Sequence, residues 1–175
     1  MKSIVIYSSK RGSTMQYAKW IANELNCNYT AVETCDFNSL ENFDNIIFGG
    51  WLRGSGIVGF DKLKKHLTSE TAKKTVVFAV GISGNSEENK KQIWEINFNK
   101  KVITREIPLF ILPGRYNKDK VKGLDAFMMK IAKKVLISGS IDEQETDKMK
   151  EILENGIDMV DRKNITEIIN FLKYK

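Results

Sequence analysis

Short apolar runs without polar alternation constrain this chain more than any other feature. Ile4, Val5, Ile6 and Tyr7 form the first. "NIIFGG" (45–50), "TVVFAV" (75–80) and "IPLFIL" (107–112) continue the series, and "YTAVET" (29–34) is a further strand candidate. A strand with one wet face alternates apolar and polar side chains. A run that does not alternate suits a strand covered on both faces, as in a parallel sheet.

Between most of these runs the period changes to that of a helix. Ala18, Ile21, Ala22 and Leu25 fall on one stripe, with Ser13 or Thr14 available to cap its start. The connection "CDFNSLENFD" has room for one or two turns only. Phe60, Leu63 and Leu67 share a face between the third and fourth strand candidates. "SEENKKQIWEINF" reads as a helix capped by Ser86, with Ile93 and Ile96 inward and Trp94 packing, as Trp20 does on the first helix. Val121, Leu124, Met128, Ile131 and Val135 recur at helical spacing. Met149, Ile152 and Leu153 mark a helix stopped by Gly156. Ile165, Ile168, Ile169 and Leu172 mark the last helix, opened by the box "NITE" from Asn164 to Glu167.

Strands alternating with helices predict an α/β fold, a parallel sheet with helices on both faces and right-handed crossovers. At 175 residues, with no linker or repeat, one domain over 1–175 is expected. No apolar run approaches the ~20 residues of a membrane span. The chain opens directly into a strand rather than a signal peptide, so a cytoplasmic protein is expected.

Composition excludes several chemistries. His66 is the single histidine, at the end of "KLKKH", and reads as a solvated helix end rather than the base of a hydrolase triad. Cys27 and Cys35 are not at a metal or redox spacing, and no metal site is expected. The net charge of +6 comes from basic runs dispersed over several elements. They read either as solvated helix faces or as attraction to an anionic surface. No nucleic-acid motif accompanies them, and nucleic-acid binding is not expected.

The turn "SSKRGST" joins the first strand to the first helix. A helix N-terminus offers unpaired N–H groups and partial positive charge, which suits a phosphate. Ser9, Ser13 and Thr14 can donate hydroxyl bonds, Gly12 allows close backbone approach, and Lys10 and Arg11 add charge. An ordinary capping turn would look similar. G-x-G-x-x-G and G-x-x-x-x-G-K-[ST] are both absent, which disfavours a dinucleotide fold and a P-loop NTPase. Strand three ends in the glycine-rich "GGWLRGSGIVG" and strand four in "GISGNSE". Ligands of open parallel sheets bind at the carboxyl ends of the strands. Three such loops on one edge suit a flat heterocycle bearing a phosphate, with Trp51 either stacking on it or plugging the core.

With Ser9, Gly12 and Thr14, "SSKRGST" resembles the FMN-phosphate loop of flavodoxins. Arg11 stands where many flavodoxins have Thr or Ser. The blocks "IIFGGWLRGSGIVGFDKLKKH" and "PGRYNKDKVKGLDAFMMKIAKK" resemble the flavodoxin-type, menaquinone-dependent protoporphyrinogen oxidase family over most of the chain. In that family an aromatic follows the arginine of the third-strand loop; here Trp51 precedes Arg53, and Gly54 and Ser55 follow it. The segment 138–162 also looks longer than in that family.

The resemblance implies a doubly wound five-stranded sheet of order 2-1-3-4-5, with FMN held by three loops. Its cofactor-binding residues would be Ser8, Ser9, Lys10, Arg11, Gly12, Ser13 and Thr14; Gly50, Trp51, Leu52, Arg53 and Gly54; and Gly81, Ile82, Ser83 and Gly84. No residue is assigned a catalytic role, because the flavin carries the redox chemistry. The implied activity is oxidation of protoporphyrinogen or a similar reduced substrate with a quinone acceptor. A non-enzymatic electron-transfer protein docking to a redox-protein partner is the alternative. "DAFMMKIAKKVLI" combines an apolar stripe with Lys130, Lys133 and Lys134, so it reads as a peripheral contact with an anionic membrane or as a core helix.

Overall fold

The computed structural model describes residues 1–82, 86–98, 107–117, 151–152 and 154–174. These divide between two compact units, one spanning Met1–Gly114 and Val160–Lys175, the other Arg115–Met159. The predicted helix through Val121 and Val135, and the positions Met149 and Leu153, lie outside the described residues.

The first unit is a flavodoxin-like α/β fold. Its strands are β1 (Ser3–Ser8), β2 (Asn28–Ala31), β3 (Asn45–Arg53), β4 (Gly56–Ile57), β5 (Thr75–Gly81) and β6 (Leu109–Pro113). They form the order β2-β1-β3-β5-β6, with β4 attached to β3 alone. Without β4 this is the expected 2-1-3-4-5, and all its pairings are parallel. The helices are α1 (Ser13–Glu24), α2 (Phe60–Lys64), α3 (Ser69–Lys73), α4 (Glu87–Phe98) and α5 (Thr166–Lys173).

Period two within each unbroken run sorts its side chains to opposite faces. Val5, Ile47, Val76, Phe78 and Val80 meet α1 and α5 through Ala18, Ile21, Ile168 and Leu172. Ile6, Ile46, Phe48, Val77 and Ala79 meet the other face, where Phe60, Leu63, Ile93 and Phe98 pack. Both faces are therefore dry, which is why these runs carry no polar alternation. Each fully buried large side chain contributes about 1.5–3 kcal/mol. On the α1 side, Tyr17 is fully buried. Its hydroxyl donates to Pro113 O at 2.7 Å and accepts from Asn164 Nδ2 at 2.9 Å, joining α1, the end of β6 and the approach to α5.

Several local expectations change. The second strand begins at Asn28 and stops at Ala31, because Thr34 N turns back to Ala31 O. Phe60, Leu63 and Leu67 share one buried cluster as expected but not one helix: Leu67 lies beyond α2, and Thr68 opens α3 with a reciprocal capping box to Thr71. Ile93 is buried as expected, but Ile96 is 50% exposed, since it falls off the stripe that Ile93 shares with Asn97. Ser86 caps α4 through Asn89 N. Asn164 of the "NITE" box does not open the last helix: it lies within the 3-10 turn that precedes α5, and its Nδ2 donates to the Tyr17 hydroxyl. Asp161 instead accepts from Lys163 N and opens a 3-10 turn (Arg162–Ile165) that feeds α5. That hydrogen bond lowers the Asp161 pKa.

In the second unit, β7 (Arg115–Tyr116) pairs antiparallel with β8 (Ile157–Asp158), and Arg115 Nε lies 2.6 Å from Asp158 Oδ2. Gly156 ends the preceding helical residues at φ +77°, donating to Ile152 O.

Candidate functional site: the carboxyl edge of the sheet

The strand order reverses at β1, which pairs with β2 on one side and β3 on the other. β1 ends at Ser8, and Gly50 is its register partner within β3. Across β3, Gly50 faces Ala79 and Trp51 faces Val80, so the end of β5 joins the same edge.

The first turn leaves β1 at Ser8 and enters α1 at Ser13. Ser9 Oγ accepts from Gly12 N at 3.1 Å and closes the turn. Gly12 sits at φ +92°, a left-handed conformation that a side chain resists. Neither Ser13 nor Thr14 caps the helix: Gly12 occupies the capping position and no side chain bonds there. Ser13 is 8% exposed, and its hydroxyl is a buried polar atom with no hydrogen-bond partner. An orphaned buried hydroxyl is costly, and it stands where α1 presents its unpaired first N–H groups. The donor set fits an anion: a phosphate here would satisfy the hydroxyl and the amides together.

The second loop departs from expectation. β3 does not end at Gly50 but runs on through Trp51 and Leu52 to Arg53. It can do so because β4 folds back on it, pairing Leu52 with Ile57 and Arg53 with Gly56. Gly54, at φ +56°, makes the tight turn at the tip. Trp51, Leu52 and Arg53 therefore form one arm of a hairpin projecting past the end of β1. Glycines let this hairpin pack closely. A β-carbon on Gly50 would strike the Ile57 side chain and lie 2.8 Å from Val58 O, and one on Gly59 would lie 2.6 Å from Ser8 Cβ.

Trp51 is half-buried and belongs to neither core cluster, so it is not a plug over the core. Its ring is flanked by Arg53, 5.0 Å from its centroid, and by Lys10 Nζ at 5.5 Å. Each such cation–π contact contributes about 0.5–1 kcal/mol at an exposed site. The Lys10 contact also joins the first turn to the hairpin. Arg11 is exposed beside it.

Gly81 ends β5, and Leu52 lies where its β-carbon would be, at 2.8 Å. Gly114 N donates to Gly81 O at 2.6 Å, tying the end of β6 to the same corner. Ile82 follows, half-buried. Ser83 and Gly84 lie outside the described residues.

Residues that the sequence reading passed over also build this edge. Gly59 seats the hairpin on Ser8. Asn97, buried on α4, bonds the hairpin tip through its side chain, donating to Ser55 O and accepting from Ile57 N, both at 2.8 Å. A polar residue four positions after Ile93, on a buried stripe, was the available signal.

Other candidate features do not converge here. His66 stacks on Phe37, with centroids 4.5 Å apart. Lys62 pairs with Glu33 and Lys64 with Asp61, so that basic run is a helix face. No group of metal-ligating side chains occurs among the described residues. A cavity of about 310 Å³ lies at the opposite, amino-terminal end of β1 and β2, lined by Ser3, Cys27 and Asn28 among others. Another, of about 400 Å³, belongs to the second unit.

A flavodoxin domain model matches residues 4–142. The chain belongs to this family. Among curated proteins, none matches. Solved structures similar to this flavodoxin domain include the flavodoxin, WrbA-like protein from Agrobacterium tumefaciens, at 22% identity and TM-score 0.45, over 55% of this chain and 68% of that one. A flavodoxin from the domain Archaea is similar at 14% identity and TM-score 0.46, over 97% and 99%. Oxidised flavodoxin 2 from Bacillus cereus is similar at 18% identity and TM-score 0.42, over 88% and 96%.

Proposed function

We propose that this flavodoxin domain binds FMN at the carboxyl edge of its sheet and acts as an oxidoreductase. Its substrate would be protoporphyrinogen or a similar reduced compound, and its acceptor a quinone. The observation that carries the FMN reading is the orphaned Ser13 hydroxyl at the start of α1. Ser9 and Gly12 shape the turn around it, and Thr14 lies buried beside it. When bound, the flavin would supply the two-electron chemistry. The chain's own residues orient the cofactor and set the local charge.

Lys10 and Arg53 favour negative charge near the Trp51 ring. A cation ~5 Å from a unit charge contributes about 3 kcal/mol at an effective dielectric of ~20, before solvent screening. Positive charge at that position favours an anionic reduced cofactor. It makes the site less reducing than an acidic edge would. This supports delivery of electrons to a quinone over a strongly reducing carrier.

Among the described residues no helix is long and apolar enough to cross a membrane. Peripheral contact through residues 125–137 is a separate proposal, supported by their basic and apolar sequence alone. Flotation with anionic liposomes tests it, and protein left in solution at low salt defeats it.

Titrating the flavin-free protein with FMN and recording the visible spectrum tests the cofactor. Turnover of protoporphyrinogen with a menaquinone analogue tests the reaction. FMN uptake without turnover would favour the electron-transfer alternative, and a protein that takes up no FMN would defeat both.

A further inference from the structure

The buried amide of Asn97 spends its side chain on main-chain groups. Nδ2 donates to Ser55 O at 2.8 Å and to Ile93 O at 2.6 Å, and Oδ1 accepts from Ile57 N at 2.8 Å. Its orientation follows from these partners, because two carbonyls require the NH₂ group and one N–H requires the oxygen. Both donors are used, and the residue is 8% exposed. Two of the three bonds reach the hairpin, on either side of Gly56.

Asn97 is itself held from another direction. Lys64 Nζ donates to Asn97 O at 2.9 Å and pairs with Asp61 at 3.0 Å. Phe98, the next residue, packs on Phe60 with centroids 4.9 Å apart. The end of α4 is thus anchored to α2, while the Asn97 side chain points from that anchor into the hairpin.

The hairpin needs an anchor because its far arm carries the site residues past the end of β1. Ser55 and Ile57 bracket the partner of Arg53, and Ile57 is the partner of Leu52. Moving Ser55 and Ile57 therefore moves Arg53 and, through Leu52, Trp51. A buried amide at this place is costly unless fully bonded, so an apolar residue would otherwise serve the core better.

We propose that Asn97 is a positioning residue: its amide sets where the hairpin arm bearing Trp51 and Arg53 stands over the carboxyl edge. Its effect on a bound flavin rests on the FMN reading above; its hold on the hairpin does not.

Hydrogen exchange in the flavin-free protein separates the two. In Asn97→Leu, the Ile57 amide should exchange at least tenfold faster, while Val77 in β5 keeps its wild-type rate. Asn97→Ala removes both donors and the acceptor without adding charge or bulk. Its Ile57 rate should match that of Asn97→Leu, and it serves alone if Asn97→Leu does not fold. With FMN, Asn97→Ala should bind several-fold more weakly and shift the flavin midpoint potential in the direction given by Arg53→Gln. Combined with Arg53→Gln, it should add no further shift, because it acts through that side chain. Wild-type exchange at Ile57 in both variants would overturn the proposal. So would accelerated exchange with unchanged flavin affinity and potential. If wild-type protein takes up no FMN, the flavin reading fails, and exchange at Ile57 still decides whether Asn97 holds the hairpin.

Discussion

Gly59 lies so close to Ser8 that a β-carbon on it would sit 2.6 Å from Ser8 Cβ and 3.0 Å from Ser8 Oγ. The contact seats the return of the hairpin on the last residue of β1. Gly59 also has φ +87°. Gly59→Ala combines a left-handed backbone, costing ~1–2 kcal/mol, with overpacking of ~1–3 kcal/mol. We expect a loss of about 2–5 kcal/mol in a urea melt, with weaker FMN binding in whatever remains folded. Wild-type stability in this variant would mean that Gly59 is not confined.

Ser13→Ala should separate stability from binding. The hydroxyl is buried without a partner, so removing it relieves a penalty of about 1–3 kcal/mol in the flavin-free protein. The unbound variant should melt at or above the wild-type temperature. A hydrogen bond to a charged phosphate contributes ~1.5–3 kcal/mol, so FMN affinity should fall roughly tenfold to a hundredfold. Calorimetry reads both quantities on the same samples. A variant that is both less stable and equally tight in binding would remove the argument for the phosphate at this turn.

Arg53→Gln should lower the midpoint potential of bound FMN. Arg53 is exposed, so screening reduces its Coulomb contribution to about 1 kcal/mol, or ~20 mV for a two-electron couple. The shift should shrink as salt is added. Spectroelectrochemistry at two ionic strengths checks it. A potential that rises, or a shift indifferent to salt, would contradict the assigned role.

Cys27 and Cys35 should behave as sluggish, unpaired thiols. Cys27 packs against the α1 face and Cys35 against the other, so the sheet separates them. Burial raises both pKa values above the ordinary 9.0, and Asp36 adds to the effect at Cys35. Below pH 9 both thiols are protonated whether the chain is folded or not. Above it the unfolded chain loses these protons first, so their contribution to stability declines with rising pH. Iodoacetamide should modify the folded protein more slowly than a free thiol at pH 8. Urea midpoints should drop between pH 9 and 10, and less so in Cys27→Ala with Cys35→Ala.

The parallel, doubly covered sheet was legible because unbroken runs such as Val76 to Val80 state that both faces are covered, whereas its strand order came from the resemblance to flavodoxins. The first turn was legible too, since Ser9, Gly12 and Ser13 stand at the end of such a run. The extension of β3 was not. Trp51, Leu52 and Arg53 sit among glycines, which read as loop; pairing of Trp51 with Val80, and of Leu52 and Arg53 with Ile57 and Gly56, makes them strand. Asn97 was hidden for a related reason: a polar residue on a helix reads as solvent-facing until its non-local partners are known. Asn164 was read as the helix start because the 3-10 turn opened by Asp161, which places it one turn earlier and bonded to Tyr17, has no strong sequence signal.

That last bond has a consequence for biosynthesis. Val5, Ile47, Val76 and Val80 are covered partly by Ile165, Ile168, Ile169 and Leu172. A nascent chain paused at Gly156 would hold every strand of the sheet and still show the ribosome's surroundings a bare aliphatic patch. Chaperone capture should therefore be strongest while residues 165–172 are still to be made, and release should follow the arrival of α5.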